Sequence, residues 1–221
     1  MYYSPKLRAW YIDAIKECDG KTYVDWLLSG ESINYDYAIF PRSFWQNTAL
    51  NRPKDIDYCF VGALMTDEKT RIARQWLLPF IEREFDSTCY LQFTDRTVKA
   101  GYTSKGDFDH TLIREGFVPK EVPIEHRNWF DESYFSIMAR SKFALCPAGD
   151  APWSMRFLEA IMCRALPIVE TAEHTYRSDL EAQLGYKFYL AHEVHVYRQD
   201  WVEHNYEIFL KFHTFDTRGP I

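Results

Sequence analysis

Strand and helix patterns alternate along the middle of this chain, and this alternation limits the fold more than any other feature. Short apolar runs predict strands, and the longer segments between them predict helices. The predicted strands cover residues 58–64, 88–93, 142–146 and 166–169, with a short one near Phe117. The predicted helices cover residues 67–85, 131–140 and 154–164. Such alternation gives right-handed βαβ units, so we predict an α/β fold with a Rossmann-like parallel sheet and helices on both faces.

The pattern divides the chain into three predicted parts. Residues 1–54 form a short helical N-terminal segment, which polar and turn residues separate from the first predicted strand. Residues 55–195 hold the alternating pattern, with a polar, glycine-containing loop after the second predicted strand. Residues 196–221 form a tail, and we predict that its helix at 200–212 packs back across the N-terminal segment.

The composition excludes several kinds of partner. The formal net charge is −6, whereas binding to a phosphate backbone relies on clustered Lys and Arg, so nucleic acid is not an expected partner. No run approaches the roughly 20 apolar residues of a membrane helix, and the polar start lacks the apolar core of a signal peptide. We therefore expect no membrane span and a cytoplasmic location. The five cysteines are widely spaced, which predicts buried thiols in a reducing compartment.

The segment from Ser141 to Val169 contains the residues that best indicate a binding site. Its predicted strand leads into a loop with Gly149 and Asp150, and a helix begins near Ser154. A parallel strand followed by a helix N-terminus presents unpaired backbone N–H groups and the helix dipole to an anion. Gly149 permits close approach of the backbone to a ligand, and Asp150 or Ser154 can cap the helix.

Arg156 and Glu159 are three residues apart, so they share a face of this predicted helix. An arginine near a helix start can bind phosphate through its planar fork, and a glutamate one turn deeper can accept hydrogen bonds from a ribose diol. The spacing alone favours a simpler alternative, a surface ion pair worth roughly a few tenths of a kcal/mol.

The same segment resembles the signature of the exostosin-like glycosyltransferases. The matching string is SKFALCPAGDAPWSMRFLEAI, followed by LPIV, with the Cys-Pro-x-Gly-Asp loop, Ser-x-Arg and the acidic-Ala pair in order. The resemblance implies the donor-binding half of a two-domain GT-B enzyme. It also implies that Ser154 and Arg156 face the diphosphate of a UDP-sugar, and that Glu159 faces its ribose.

The chain departs from the family pattern at two points. Arg164 stands where the family commonly has a glycine that ends the helix. Residues 1–54 are too few to form the acceptor domain that GT-B enzymes usually carry.

From the resemblance we expect an inverting glycosyltransferase that moves a sugar from a UDP-sugar to a glycan hydroxyl. Arg156 would stabilise the charge on the departing diphosphate. We expect no cofactor and no metal, because His192 and His195 lack further ligands. The short N-terminal segment leaves two alternatives. One is a non-catalytic nucleotide-sugar-binding or regulatory module, and the other is a subunit that completes its acceptor site through a partner or a homodimer.

Three further candidates lie outside the signature. Gly62 ends the first predicted strand and resembles the GT-B loop that approaches the donor phosphates, although an ordinary strand end is equally consistent with its position. Asp109 and His110 lie in a glycine-bounded loop and are candidates for the general base that deprotonates the acceptor. Solvated loop residues are the simpler alternative for this pair.

Overall fold

The computed structural model of the chain describes most of the alternating region and the tail. The described residues are 40–41, 52–64, 72–93, 103–105, 132–149, 154–175 and 182–215. The predicted strand near Phe117 lies outside them. No helix among these residues is long and apolar enough to cross a membrane.

A six-stranded sheet forms the centre of the molecule, with strand order β4-β3-β2-β5-β6-β7. Its strands are β2 (Ile56–Gly62), β3 (Tyr90–Phe93), β4 (Thr103–Lys105), β5 (Ser141–Leu145), β6 (Leu166–Val169) and β7 (Tyr189–Leu190). All neighbouring strands are parallel except β3 and β4, which are antiparallel. The predicted Rossmann-like parallel sheet is therefore confirmed.

Helices cover both faces of this sheet. They are α1 (Leu77–Glu84), α2 (Glu132–Arg140), α3 (Met155–Met162) and α4 (Gln199–Phe212). Along β5, Phe143 packs in one apolar core with Phe80 of α1, while the next residue, Ala144, packs in the other with residues of α2, α3 and α4. Successive side chains of a strand point to opposite faces, so the two cores lie on opposite sides of the sheet, as predicted.

Two predicted elements are shorter in the structure. The helix predicted at 67–85 includes α1, but residues 75–76 form a turn before it, and residues 65–71 lie outside the described part. β3 begins at Tyr90 instead of residue 88, because Thr88 belongs to a turn in which its backbone N–H donates to Asp86 Oδ1 at 2.8 Å.

The sequence did not predict β4 or β7. β4 is a short polar edge strand within the segment that we predicted as a loop, so it has no apolar run to indicate it. β7 is a two-residue strand next to β6, too short for a periodic pattern.

The tail returns to the N-terminal part of the chain. After α4, β8 (Thr214–Phe215) pairs in parallel with β1 (Phe40–Pro41) as a two-stranded sheet. Phe209 of α4 is fully buried in the core that α3 also lines. The C-terminal helix therefore packs back onto the core beside α3. Its passage across the N-terminal segment and the limits of the three predicted parts stay predictions.

Arg164 ends α3 without the expected glycine. Its φ is 57°, in the left-handed region that favours glycine. The N–H of Arg164 donates to Ile161 O and that of Ala165 to Ala160 O, each at 2.9 Å, which is the Schellman pattern. The Arg164 side chain contacts α4, where Nη1 lies 2.7 Å from Glu203 Oε1. This ion pair holds the Arg164 side chain against α4.

Candidate functional site

The candidate site lies where β2 and β5 end. These strands are parallel neighbours in the middle of the sheet, with Cys59 opposite Ala144, so their carboxyl ends lie side by side. Ligands of open α/β sheets bind at this edge. Arg74 joins the two following segments, because its Nε donates to Ala148 O at 2.9 Å and its Nη1 donates to Ala63 O.

Helix α3 starts at the same edge. Ser154 is its N-cap residue, in an extended conformation, and its hydroxyl accepts a 3.3 Å hydrogen bond from the Arg156 backbone N–H. Of the two predicted caps, Ser154 is therefore the residue that caps α3 in the described part of the chain. Gly149 is partly buried in the loop after β5, and Asp150 lies outside the described residues.

The side chain of Arg156 reaches across the end of β2. Its Nη2 donates to Val61 O at 2.8 Å, and its Nε donates to the Tyr134 hydroxyl at 3.3 Å. The guanidinium carbon lies 4.9 Å from the centre of the Phe60 ring, within cation–π range. Arg156 therefore connects α3 to β2 and α2.

Glu159 lies beneath Arg156 and is buried, with 5% of its surface exposed. Its Oε2 accepts a 2.7 Å hydrogen bond from the Tyr134 hydroxyl, the group that also accepts from Arg156. Burial raises the pKa of Glu159, while the Tyr134 hydrogen bond and the Arg156 charge oppose the rise. The surface ion pair that the spacing favoured is therefore wrong, since these side chains are linked through a buried tyrosine.

One nitrogen of Arg156 has no hydrogen-bond partner among the residues that the structure describes. Nη1 is shielded from solvent and makes no hydrogen bond with the described residues. Burial works to lower the pKa of Arg156, but Tyr134, Cys146 and Glu159 outweigh it, and the pKa lies above its ordinary value. A cation with an unused donor, beside a helix N-terminus, is suited to an anionic ligand.

Gly62 provides the space that Arg156 occupies. A Cβ at this position would lie 2.5 Å from Arg156 Nη2, closer than real Cβ contacts allow. Gly62 lies at the predicted edge, but its nearest described neighbour is this guanidinium. Its position explains how the arginine reaches Val61, and its proposed approach to donor phosphates stays a prediction.

None of the other predicted residues can be placed in this group from the part of the chain that the structure describes. Asp109 and His110 lie outside the described residues. His195 packs against aromatic rings, with Nδ1 at 3.3 Å from the Tyr58 hydroxyl and Nε2 at 3.0 Å from Leu190 O. The described part of the chain contains no group of three or more side chains arranged to hold a metal ion.

Sequence reasoning missed Tyr134 and Arg74. Tyr134 lies on the predicted helix 131–140, where an aromatic residue indicates core packing and nothing signals its two polar contacts. Arg74 falls within the predicted helix 67–85 and belongs to no motif that would single it out. The three-dimensional arrangement alone brings them to the site.

Comparison with known proteins supports a relationship for part of the chain. No family model matches it. A stretch of 37 residues is similar to three probable glucuronosyltransferases of Oryza sativa subsp. japonica, with 49% identity to one and 46% to the other two. The stretch is 17% of this chain and covers 8 to 9% of each relative's length. This part of the chain is related in sequence to glycosyltransferases.

Proposed function

We propose that this chain binds a UDP-sugar and acts as an inverting, metal-independent glycosyltransferase, which transfers the sugar to a glycan hydroxyl. The observation that carries the proposal is Arg156 Nη1, which lies at the carboxyl ends of β2 and β5 beside the start of α3 and has no hydrogen-bond partner within the described part of the chain. The similarity to probable glucuronosyltransferases, though short, supports the same reaction class.

Arg156 and the first turn of α3 would hold the diphosphate. Backbone N–H groups in the first turn of a helix lack intrahelical partners, and the helix dipole adds positive potential there. When the bond from the sugar to the diphosphate breaks, negative charge develops on the leaving oxygen. A fixed cation and oriented N–H groups stabilise that charge without reorganising.

Glu159 would receive the ribose. Tyr134 occupies its Oε2, and a carboxylate has further acceptor sites for the hydroxyls of a diol. Asp109 and His110 remain our candidates for the base that accepts the proton of the acceptor hydroxyl. The sugar would then be attacked from the face opposite the diphosphate, with inversion.

Calorimetric titration with UDP and UDP-glucuronic acid in EDTA tests this function. We expect binding without metal, and Arg156→Lys weakens it at least about tenfold, because lysine lacks the planar fork. Arg140→Lys is the matched control. This substitution also removes a guanidinium group, whose Nε donates to Asp55 Oδ1 at 2.9 Å and whose Nη2 donates to Oδ2 at 2.5 Å. Arg140 lies at the amino end of β5, away from the site.

The outcomes separate the alternatives. If neither ligand binds, or Arg156→Lys binds both as the wild type does, the proposal is wrong. A requirement for Mn²⁺ contradicts the metal-independent site. Binding without hydrolysis or transfer identifies a non-catalytic module, or a subunit that needs a partner or a second copy for its acceptor.

A further inference from the structure

The hydroxyl of Tyr134 lies between the two charged residues of the site. It donates to Glu159 Oε2 at 2.7 Å and accepts from Arg156 Nε at 3.3 Å. A tyrosine hydroxyl has one proton to donate and lone pairs that accept. The direction of both bonds is therefore fixed, because an arginine can only donate and the short contact with the carboxylate needs the proton.

This hydroxyl is shielded from solvent, with 7% of the Tyr134 surface exposed. Burial, and then the charge of Glu159, raise the pKa of Tyr134 well above its ordinary value, so the proton stays on the hydroxyl. Removing the hydroxyl would leave the buried polar atoms of Arg156 and Glu159 that it contacts without this partner, which costs free energy. Both charged neighbours are thus linked through this hydroxyl.

The two anchored nitrogens of Arg156 determine the plane of its guanidinium group. Nε is anchored by Tyr134 and Nη2 by Val61 O. With both anchored, Nη1 is the nitrogen that remains for a ligand. Without Tyr134, the hydrogen bond to Val61 O fixes only Nη2, so the guanidinium plane can rotate about that bond.

We propose that Tyr134 is a positioning residue of the donor site, which orients Arg156 toward the diphosphate and couples it to Glu159. This inference rests on the proposed function. Tyr134 does not touch the nucleotide itself. It makes the diphosphate and ribose contacts interdependent, so that disturbing one weakens the other.

Tyr134→Phe tests this role by removing only the hydroxyl. Tyr189→Phe is the matched control, because Tyr189 is 8% exposed and its hydroxyl donates at 2.8 Å to Val196 O, away from Arg156. We expect Tyr134→Phe to weaken UDP about tenfold, the effect of one hydrogen bond to a charged group, and to weaken uridine less, because uridine contacts Glu159 but offers no diphosphate to Arg156. Tyr189→Phe should leave UDP binding within about twofold of wild type.

A double-mutant cycle with Glu159→Gln measures the coupling. We expect the double variant to bind UDP more tightly than the product of the single effects predicts, because both substitutions break the same chain of contacts. 3-Fluorotyrosine at position 134 gives a second measurement, which does not depend on the Phe variant folding. Its fluorine resonance should shift more with UDP than with uridine, because only UDP contacts both Glu159 and Arg156.

The results distinguish the two proposals. If wild type binds UDP but Tyr134→Phe binds it equally well, or loses UDP and uridine alike, the positioning role is wrong and the proposed function stands. Additive effects in the cycle, or a fluorine signal unchanged by UDP, lead to the same conclusion. If wild type does not bind UDP, both proposals are wrong.

Discussion

The substitution Gly62→Ala tests how closely the end of β2 is fitted to Arg156. The new Cβ would lie 2.5 Å from Arg156 Nη2 and 3.4 Å from its Cζ. The guanidinium group must therefore move away. Its 2.8 Å hydrogen bond to Val61 O is the contact that this movement breaks.

The loss of stability in Gly62→Ala follows from the loss of that hydrogen bond. A hydrogen bond to a charged group contributes about 1.5 to 3 kcal/mol, so Gly62→Ala should lower the free energy of unfolding by about that amount. Gly62 does not have a positive φ, so alanine has no backbone strain there. In an Arg156→Ala background the clash disappears, and Gly62→Ala should be neutral or stabilise by up to about 1 kcal/mol.

Urea unfolding of the four proteins in this cycle gives the coupling free energy between positions 62 and 156. We expect about 2 to 4 kcal/mol, the sum of the lost bond and the recovered backbone entropy. The slopes of the unfolding curves should agree, which shows that the denatured states are comparable. An equal cost of Gly62→Ala in both backgrounds would refute the fit between glycine and arginine.

Three further predictions concern neighbouring groups. Glu159→Gln should weaken UDP binding about ten- to hundredfold in calorimetry, and weaken 2′,3′-dideoxy-UDP less because that ligand has no diol; equal losses would contradict ribose binding. Lys54→Met should lower the free energy of unfolding by about 1 to 3 kcal/mol, because Lys54 Nζ donates to Ala139 O at 2.8 Å and Cys163 O at 2.9 Å at two helix ends. Lys142→Met, whose half-exposed pair with Asp57 is worth about 0 to 1 kcal/mol, is the control, and a similar loss in both would contradict the role of Lys54. Burial raises the pKa of Cys59 from 9.0 to about 11. As the pH rises, the thiol loses its proton in the unfolded chain before it does so in the folded one. The contribution of Cys59 to the free energy of unfolding is therefore complete below pH 9 and falls by about 1.4 kcal/mol per pH unit between pH 9 and 11. Urea unfolding under reducing conditions should show a smaller alkaline loss of stability in Cys59→Ala.

The sequence predicts the central sheet well because its strands are continuous apolar runs. Residues 142–146 and 166–169 match β5 and β6 closely, and the Ser154 cap marks the start of α3. The apolar pattern was enough there, because these elements are buried on both sides. Short polar strands such as β4 depend on pairing with a neighbour, which a local pattern does not reveal.

The site was only partly predictable, for a similar reason. Arg156 and Glu159 could be proposed from their spacing and from the resemblance, but their connection passes through Tyr134 on another helix, 22 and 25 residues away along the chain. Gly62 was predicted at a strand end, either near the donor phosphates or as an ordinary strand end, whereas its contact with Arg156 depends on the pairing of β2 with β5. Contacts between distant segments leave no periodic signal in the sequence.

A crystal structure of the protein with UDP, grown in EDTA, would show whether Arg156 holds the diphosphate. We expect a diphosphate oxygen at about 2.7 to 2.9 Å from Arg156 Nη1, the usual distance of a charge-assisted hydrogen bond. We also expect the ribose hydroxyls on Glu159 and no metal between the phosphates. UDP bound elsewhere, or bound while Arg156 Nη1 stays without a partner, would contradict the proposed function.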